Sequence, residues 1–226
     1  MQKKMFKNIH AILIDLDGTF ADTSVDMCNA LNRILLDHKF NPVDCQDLKY
    51  HISKGAIGII QYAAAINQRS IDSSLIRAEF LQQYSENCFV NTKLIDGMND
   101  LIINIENKQI KWGIVTNKHS KYVKQILEGL RMDTKVQCLI TGDMVENSKP
   151  EPDSLLLACI KLNINPSQAL YIGDDERDII AAKKAGMKSV VANFGFINKN
   201  ININQWGADY IIHKPIDLID KVSKNE

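Results

Sequence analysis

The chain has 226 residues, enough for one or two domains, and 45% of them are hydrophobic, enough for a real buried core. Lys plus Arg and Asp plus Glu number 27 each, so the formal net charge is zero and the broad basic footprint of a nucleic-acid binder is missing. The five cysteines are widely spaced without a Cys-x-x-Cys, which fits reduced thiols better than disulfides or a zinc site.

The chain starts basic and then turns apolar. That apolar run is too short for an export signal and ends in acids. No run approaches the ~20 apolar residues of a spanning helix. A cytoplasmic location with no membrane partner is expected. Residues 11–16 read as a short buried strand. From residue 24 to 38 the period becomes helical, with Val25, Cys28, Leu31, Leu35 and His38 on one side. Asp22 is placed to cap that helix. Residues 47–53 and 55–66 are also helix-like. A further helix spans about 74–88, with Leu75, Phe80, Leu81, Tyr84 and Cys88 as its apolar side. Residues 21–92 therefore read as helical throughout.

Alternation follows. Helical patterns at 101–108, 121–130, 153–162 and 177–186 are interleaved with strands at 111–117, 136–141, 169–174 and 188–193. A last strand at 208–213 precedes an expected C-terminal helix, and residues 221–226 read as a fraying tail. Such alternation implies a parallel sheet covered on both faces. The expected architecture is an α/β, Rossmann-like core with an all-helical insertion after the first strand. It divides into a core of residues 1–20 and 93–226 and a helical domain of residues 21–92.

Three of these strands end in polar clusters. The first ends in Asp15, Asp17, Gly18 and Thr19, the next in Thr116, Asn117 and Lys118, and a later one in Asp174, Asp175 and Asp178. A fourth cluster, "SKPEP", places Lys149 in a proline-stiffened loop. In open α/β sheets ligands bind beyond the carboxyl ends of the strands. Clustered carboxylates raise one another's pKa unless a cation intervenes. All-oxygen ligands suit Mg²⁺, which also bridges phosphate. A carboxylate can act as nucleophile in phosphoryl transfer, and a second one can serve as acid and base. His51 and His119 are isolated histidines and read as surface or packing residues.

In this order "DLDGT", "VTNK", "SKPEP" and "YIGDDERD" resemble the four motifs of the haloacid dehalogenase superfamily, and the helical insertion resembles its C1 cap. The resemblance implies a phosphatase in which Asp15 is the nucleophile and Asp17 the acid/base that also lends a backbone carbonyl to Mg²⁺. It implies phosphate binding by Gly18, Thr116 and Asn117, with Lys149 pairing with Asp15. It implies Mg²⁺ ligation by Asp15, Asp17 and Asp174, with Asp178 acting behind them or through a bound water. An acid at position 17, where dehalogenating relatives carry an aromatic residue, implies phosphate esters. Phosphoglycolate phosphatases look similar, and "IDGM", "FGFI" and "QWGADYII" resemble more closely a cell-wall-recycling branch acting on N-acetylmuramic acid 6-phosphate. Ser53, Lys54 and Gly55, in the loop "HISKGAI", are expected to meet the substrate. A phosphomutase of the same fold, or a phosphoacceptor without turnover, is an alternative reading. The expected partner is a small phosphorylated metabolite, and the chain is expected to be a monomer or homodimer.

Overall fold

The computed structural model describes residues 6–224 except residue 71. The first strand is β1 (Ala11–Ile14), with every residue buried. A ribbon strand, β2 (Ala21–Asp22), leads into four helices: α1 (Ser24–Asp37), α2 (Cys45–Leu48), α3 (Gly55–Asn67) and α4 (Ser73–Glu86). The return strand β3 (Lys93–Leu94) pairs antiparallel with β2. The alternating part follows as α5 (Met98–Asn107), β4 (Lys111–Val115), α6 (Ser120–Gly129), β5 (Leu139–Ile140), α7 (Asp153–Leu162), β6 (Ala169–Gly173), α8 (Glu176–Ala185), β7 (Lys188–Ala192) and β8 (Tyr210–Ile212).

The main sheet has six strands in the order β5-β4-β1-β6-β7-β8, and every pairing in it is parallel. Alternate residues of each strand face opposite sides. Ile12 and Ile14 join the apolar layer of α5 and α6, with Leu101, Ile105, Val123 and Ile126. Ala11 and Leu13 join the layer of α7 and α8, with Leu155, Ala158, Ala181 and Ala182. Burial on both faces explains why β1 reads as a continuous apolar run rather than an alternating one.

Asp26, in the first turn of α1, holds the ribbon in place. Its buried carboxylate accepts from the backbone N–H groups of Val90 (2.9 Å), Asn91 (2.8 Å) and Thr92 (2.9 Å). The Thr92 hydroxyl adds a fourth bond at 2.8 Å. Burial alone would raise this carboxyl, but the hydrogen bonds outweigh it and hold the group below its ordinary value.

Several expectations are corrected. Cys28 and Cys45 form a disulfide. Asn32 docks the intervening loop by bonding both the N–H and the C=O of Val43, which brings Cys45 beside α1. The other three cysteines are free and buried. Val25 and Leu75, expected on apolar faces, are exposed, and Met27 and Ile76 are buried instead. Among the described residues no C-terminal α-helix forms, only a 3-10 turn at Pro215–Leu218. The tail is held to the core by a bridge between Phe6 and Val222, and Val222 is buried. No helix among the described residues is long and apolar enough to cross a membrane.

Candidate active site

The three central strands β4, β1 and β6 are neighbours, and Ile14 is in register with both Ile114 and Ile172. Their carboxyl ends therefore fall on one edge, which brings Asp15, Thr116 and Asp174 together. Oxygens of Asp15, Asp174 and Asp178 lie within 4.8 Å of one another, and all three residues are buried.

Among the described residues, Lys149 is the only ammonium set directly against this triad. Its Nζ donates to Asp15 Oδ1, Asp178 Oδ1 and the Tyr171 hydroxyl, each at 2.7 Å. Those bonds use all three of its protons. Burial would drive Lys149 neutral, but Asp15 and Asp178 push its pKa above the ordinary value. One lysine does not balance three acids. Burial raises Asp15 to about 7, with Lys149 pulling it down and Asp178 pushing it up. Burial and the same two neighbouring acids hold Asp174 well above the ordinary carboxylate range. A compact set of hard oxygen donors with uncompensated charge fits Mg²⁺.

The backbone is shaped around these acids. Gly18 has φ +83°, and a Cβ there would lie 2.3 Å from Asp174 Oδ2. A side chain at position 18 is therefore excluded both by conformation and by the acid it would strike. Asp174 accepts from the Phe196 N–H at 2.7 Å and the Thr19 hydroxyl at 3.1 Å. Asp178 Oδ2 accepts from the Asp175 N–H. Asp175 caps α8, accepting from Arg177 N, and pairs with Arg177 Nε at 2.7 Å.

A cavity of about 300 Å³ opens above the acids, between the sheet edge and the helical insertion, and includes Asp15, Asp17, Thr116, Asn117, Lys149 and Asp178 in its lining. Asp17 is held by the Thr23 hydroxyl at 2.5 Å and by Lys118 Nζ at 2.9 Å. Lys118 also sits 4.8 Å from the centre of the Tyr84 ring, in cation–π contact. Thr116 Oγ1 accepts from Lys118 N, which leaves its hydroxyl proton available. Asn117 stands beside the lysine loop. Its side-chain amide is occupied with both backbone groups of Lys149, so it positions the lysine loop.

Ser53 and Gly55 line the cavity, and the Ser53 carbonyl accepts from Arg177. Lys54 is exposed, and the cavity lining runs through its neighbours on either side. Its stem lies over Gly58 of α3, where a Cβ would meet Lys54 Cβ at 2.2 Å. His119 lines the cavity while capping α6, and His51 stacks on Tyr62 at 4.2 Å. Tyr171, Phe196, Arg177 and Arg77 were not singled out in the sequence, and Lys118 was named there only as part of a polar cluster. Lys118 pairs with Asp17, 101 residues away, and Arg177 with the Ser53 carbonyl, 124 residues away, besides its neighbour Asp175.

The chain belongs to the haloacid dehalogenase-like hydrolase family, whose model matches residues 12–192. It is 37% identical to the N-acetylmuramic acid 6-phosphate phosphatase of Pseudomonas aeruginosa over 96% of each chain. It is 34% identical to a phosphoglycolate phosphatase of Xanthomonas campestris, covering 92% of this chain and 94% of that one. A crystal structure from Haemophilus somnus, described as a predicted phosphoglycolate phosphatase, superposes with TM-score 0.85 at 25% identity, covering 94% of this chain and 97% of the other.

Proposed function

We propose that this chain is a Mg²⁺-dependent phosphomonoesterase acting on a small phosphorylated metabolite through an aspartyl-phosphate intermediate. The observation that carries this reading is the convergence of Asp15, Asp17, Lys149, Asp174 and Asp178 at one sheet edge, with Asp15 and Asp17 open to one cavity. Residues 21–92 act as the cap over that cavity, and residues 1–20 and 93–226 as the catalytic core.

An Asp15 oxygen attacks phosphorus, and the ester P–O bond breaks with its electron pair on the departing oxygen. Asp17 gives that oxygen a proton. Water then loses a proton to Asp17 and attacks phosphorus. The Asp15–phosphorus bond breaks, releasing inorganic phosphate and restoring the carboxylate. Lys149 and the Thr116 hydroxyl stabilise the charge on the phosphoryl oxygens. Asp15, Asp174 and Asp178, with the Asp17 backbone carbonyl, would hold the metal. When bound, Mg²⁺ supplies the positive charge that keeps Asp15 ionised and offsets the phosphate oxygens.

The relatives' names support a phosphorylated muramic acid or phosphoglycolate as substrate. Phosphate release should be sustained over many turnovers, stop on chelation and return with added Mg²⁺. Turnover that is indifferent to chelation would contradict the metal assignment, and release limited to one equivalent would favour a phosphoacceptor.

A further inference from the structure

Five cationic side chains line the cavity: Lys118, Lys149, Arg177, His119 and Arg77. Four of them are committed. Lys149 bonds Asp15, Asp178 and Tyr171. Lys118 bonds Asp17, and Arg177 bonds Asp175 and the Ser53 carbonyl. His119 caps α6 and lies 3.9 Å from Asp143. Arg77, on α4, has no hydrogen bond or ion pair to any described residue. Arg77 and the Tyr122 ring both line the cavity.

Helix α4 contributes Arg77, Phe80, Leu81 and Tyr84 to the lining. That spacing is one face of a helix. Tyr84 marks the catalytic end, because Lys118 touches both its ring and Asp17. Arg77 stands two turns away, about 10 Å along the axis at 1.5 Å per residue. The apolar side chains of Phe80 and Leu81 fill the interval. The stripe therefore has the Lys118–Asp17 contact at one end and an unpaired guanidinium at the other.

We propose that Arg77 is a specificity-determining residue that binds a second anionic group, a carboxylate, carried on a ring-sized body beyond the substrate's phosphoryl group. This rests on the phosphomonoesterase reading above. A guanidinium pairs well with the planar carboxylate fork. Phosphoglycolate joins phosphorus and carboxyl carbon through only one oxygen and one methylene, which keeps its two charges close together. A hexosamine 6-phosphate bearing a lactyl ether holds its carboxylate on the far side of a sugar ring from its phosphorus.

The test compares N-acetylmuramic acid 6-phosphate with N-acetylglucosamine 6-phosphate, which lacks only the lactyl group, and with 2-phosphoglycolate and p-nitrophenyl phosphate. The wild-type chain should prefer the lactyl ester in kcat/KM. Arg77→Met should lower kcat/KM for that ester by about tenfold or more, mostly through KM, as expected for one charge-assisted bond. It should leave the carboxylate-free esters within about twofold, and Arg77→Lys should restore part of the loss. An equal loss on all esters, no loss on the lactyl ester, or a wild-type preference for 2-phosphoglycolate would overturn the assignment. Failure of the wild type to hydrolyse any ester would instead overturn the phosphomonoesterase reading.

Discussion

The sheet edge and the helical insertion are built on opposite electrostatic plans. At the edge the three acids around Lys149 are buried and tied: Lys149 spends all its donors, and Asp174 and Asp178 each accept at both oxygens. In the insertion the cavity wall is mostly apolar, with Ile52, Phe80 and Leu81, and its one arginine is unpaired. A tied network holds reacting groups in place before substrate arrives, which is what transition-state stabilisation requires. An untied cation above apolar side chains can instead be matched by a substrate. On the reading proposed above, chemistry belongs to the edge and choice of substrate to the insertion.

Lys149→Met strikes the tied side and should have the largest effect. It should reduce kcat by about 10²-fold or more on every ester, because a charge aimed at the phosphoryl oxygens is lost. Steady-state kinetics would show this as a kcat effect common to all substrates. A loss confined to one substrate would dissolve the division between the two regions.

Asp26 belongs to the joint between them. Asp26→Asn should lower stability by about 1–3 kcal/mol at neutral pH, since charge-assisted bonds to the return strand weaken. The native carboxyl titrates below its ordinary value of 3.8, so its stabilisation is present in full above that value. It is lost as the pH falls through the native value. Denaturant unfolding of both proteins across acid pH should therefore show the gap closing toward low pH. A gap that widens on acidification would mean that Asp26 is not held as an anion.

Lys54→Ala should have the smallest effect, within about twofold in kcat/KM, as for an ordinary surface substitution. A KM increase specific to a carboxylate-bearing ester would transfer the reading of that group from Arg77 to the loop before α3.

Much of the edge was legible in the sequence. Asp15, Asp174 and Lys149 stand at strand ends or in a proline-bounded loop, where an apolar run stops against acids, and parallel register does the rest. The alternating elements were legible for the same reason, as their two-sided burial leaves short apolar strands. The insertion was less so. Helical periodicity located α1 and α4 but misassigned Val25 and Leu75, because the stripe that packs is set by neighbouring helices. Arg77 carries no local signal, since it becomes notable only when every other cation of the cavity is seen to be paired. The disulfide depended on a loop docked by Asn32. The Phe6–Val222 bridge, which anchors the tail, joins opposite ends of the chain.

The central claim is that phosphorus passes through Asp15. A radiolabelled phosphomonoester should be mixed with an Asp17→Asn variant, in which hydrolysis of the intermediate is slowed, quenched in acid and digested. The account predicts label on the peptide containing Asp15, absent when Asp15→Asn is added. Label on another residue, or rapid turnover by the Asp15→Asn chain, would contradict it.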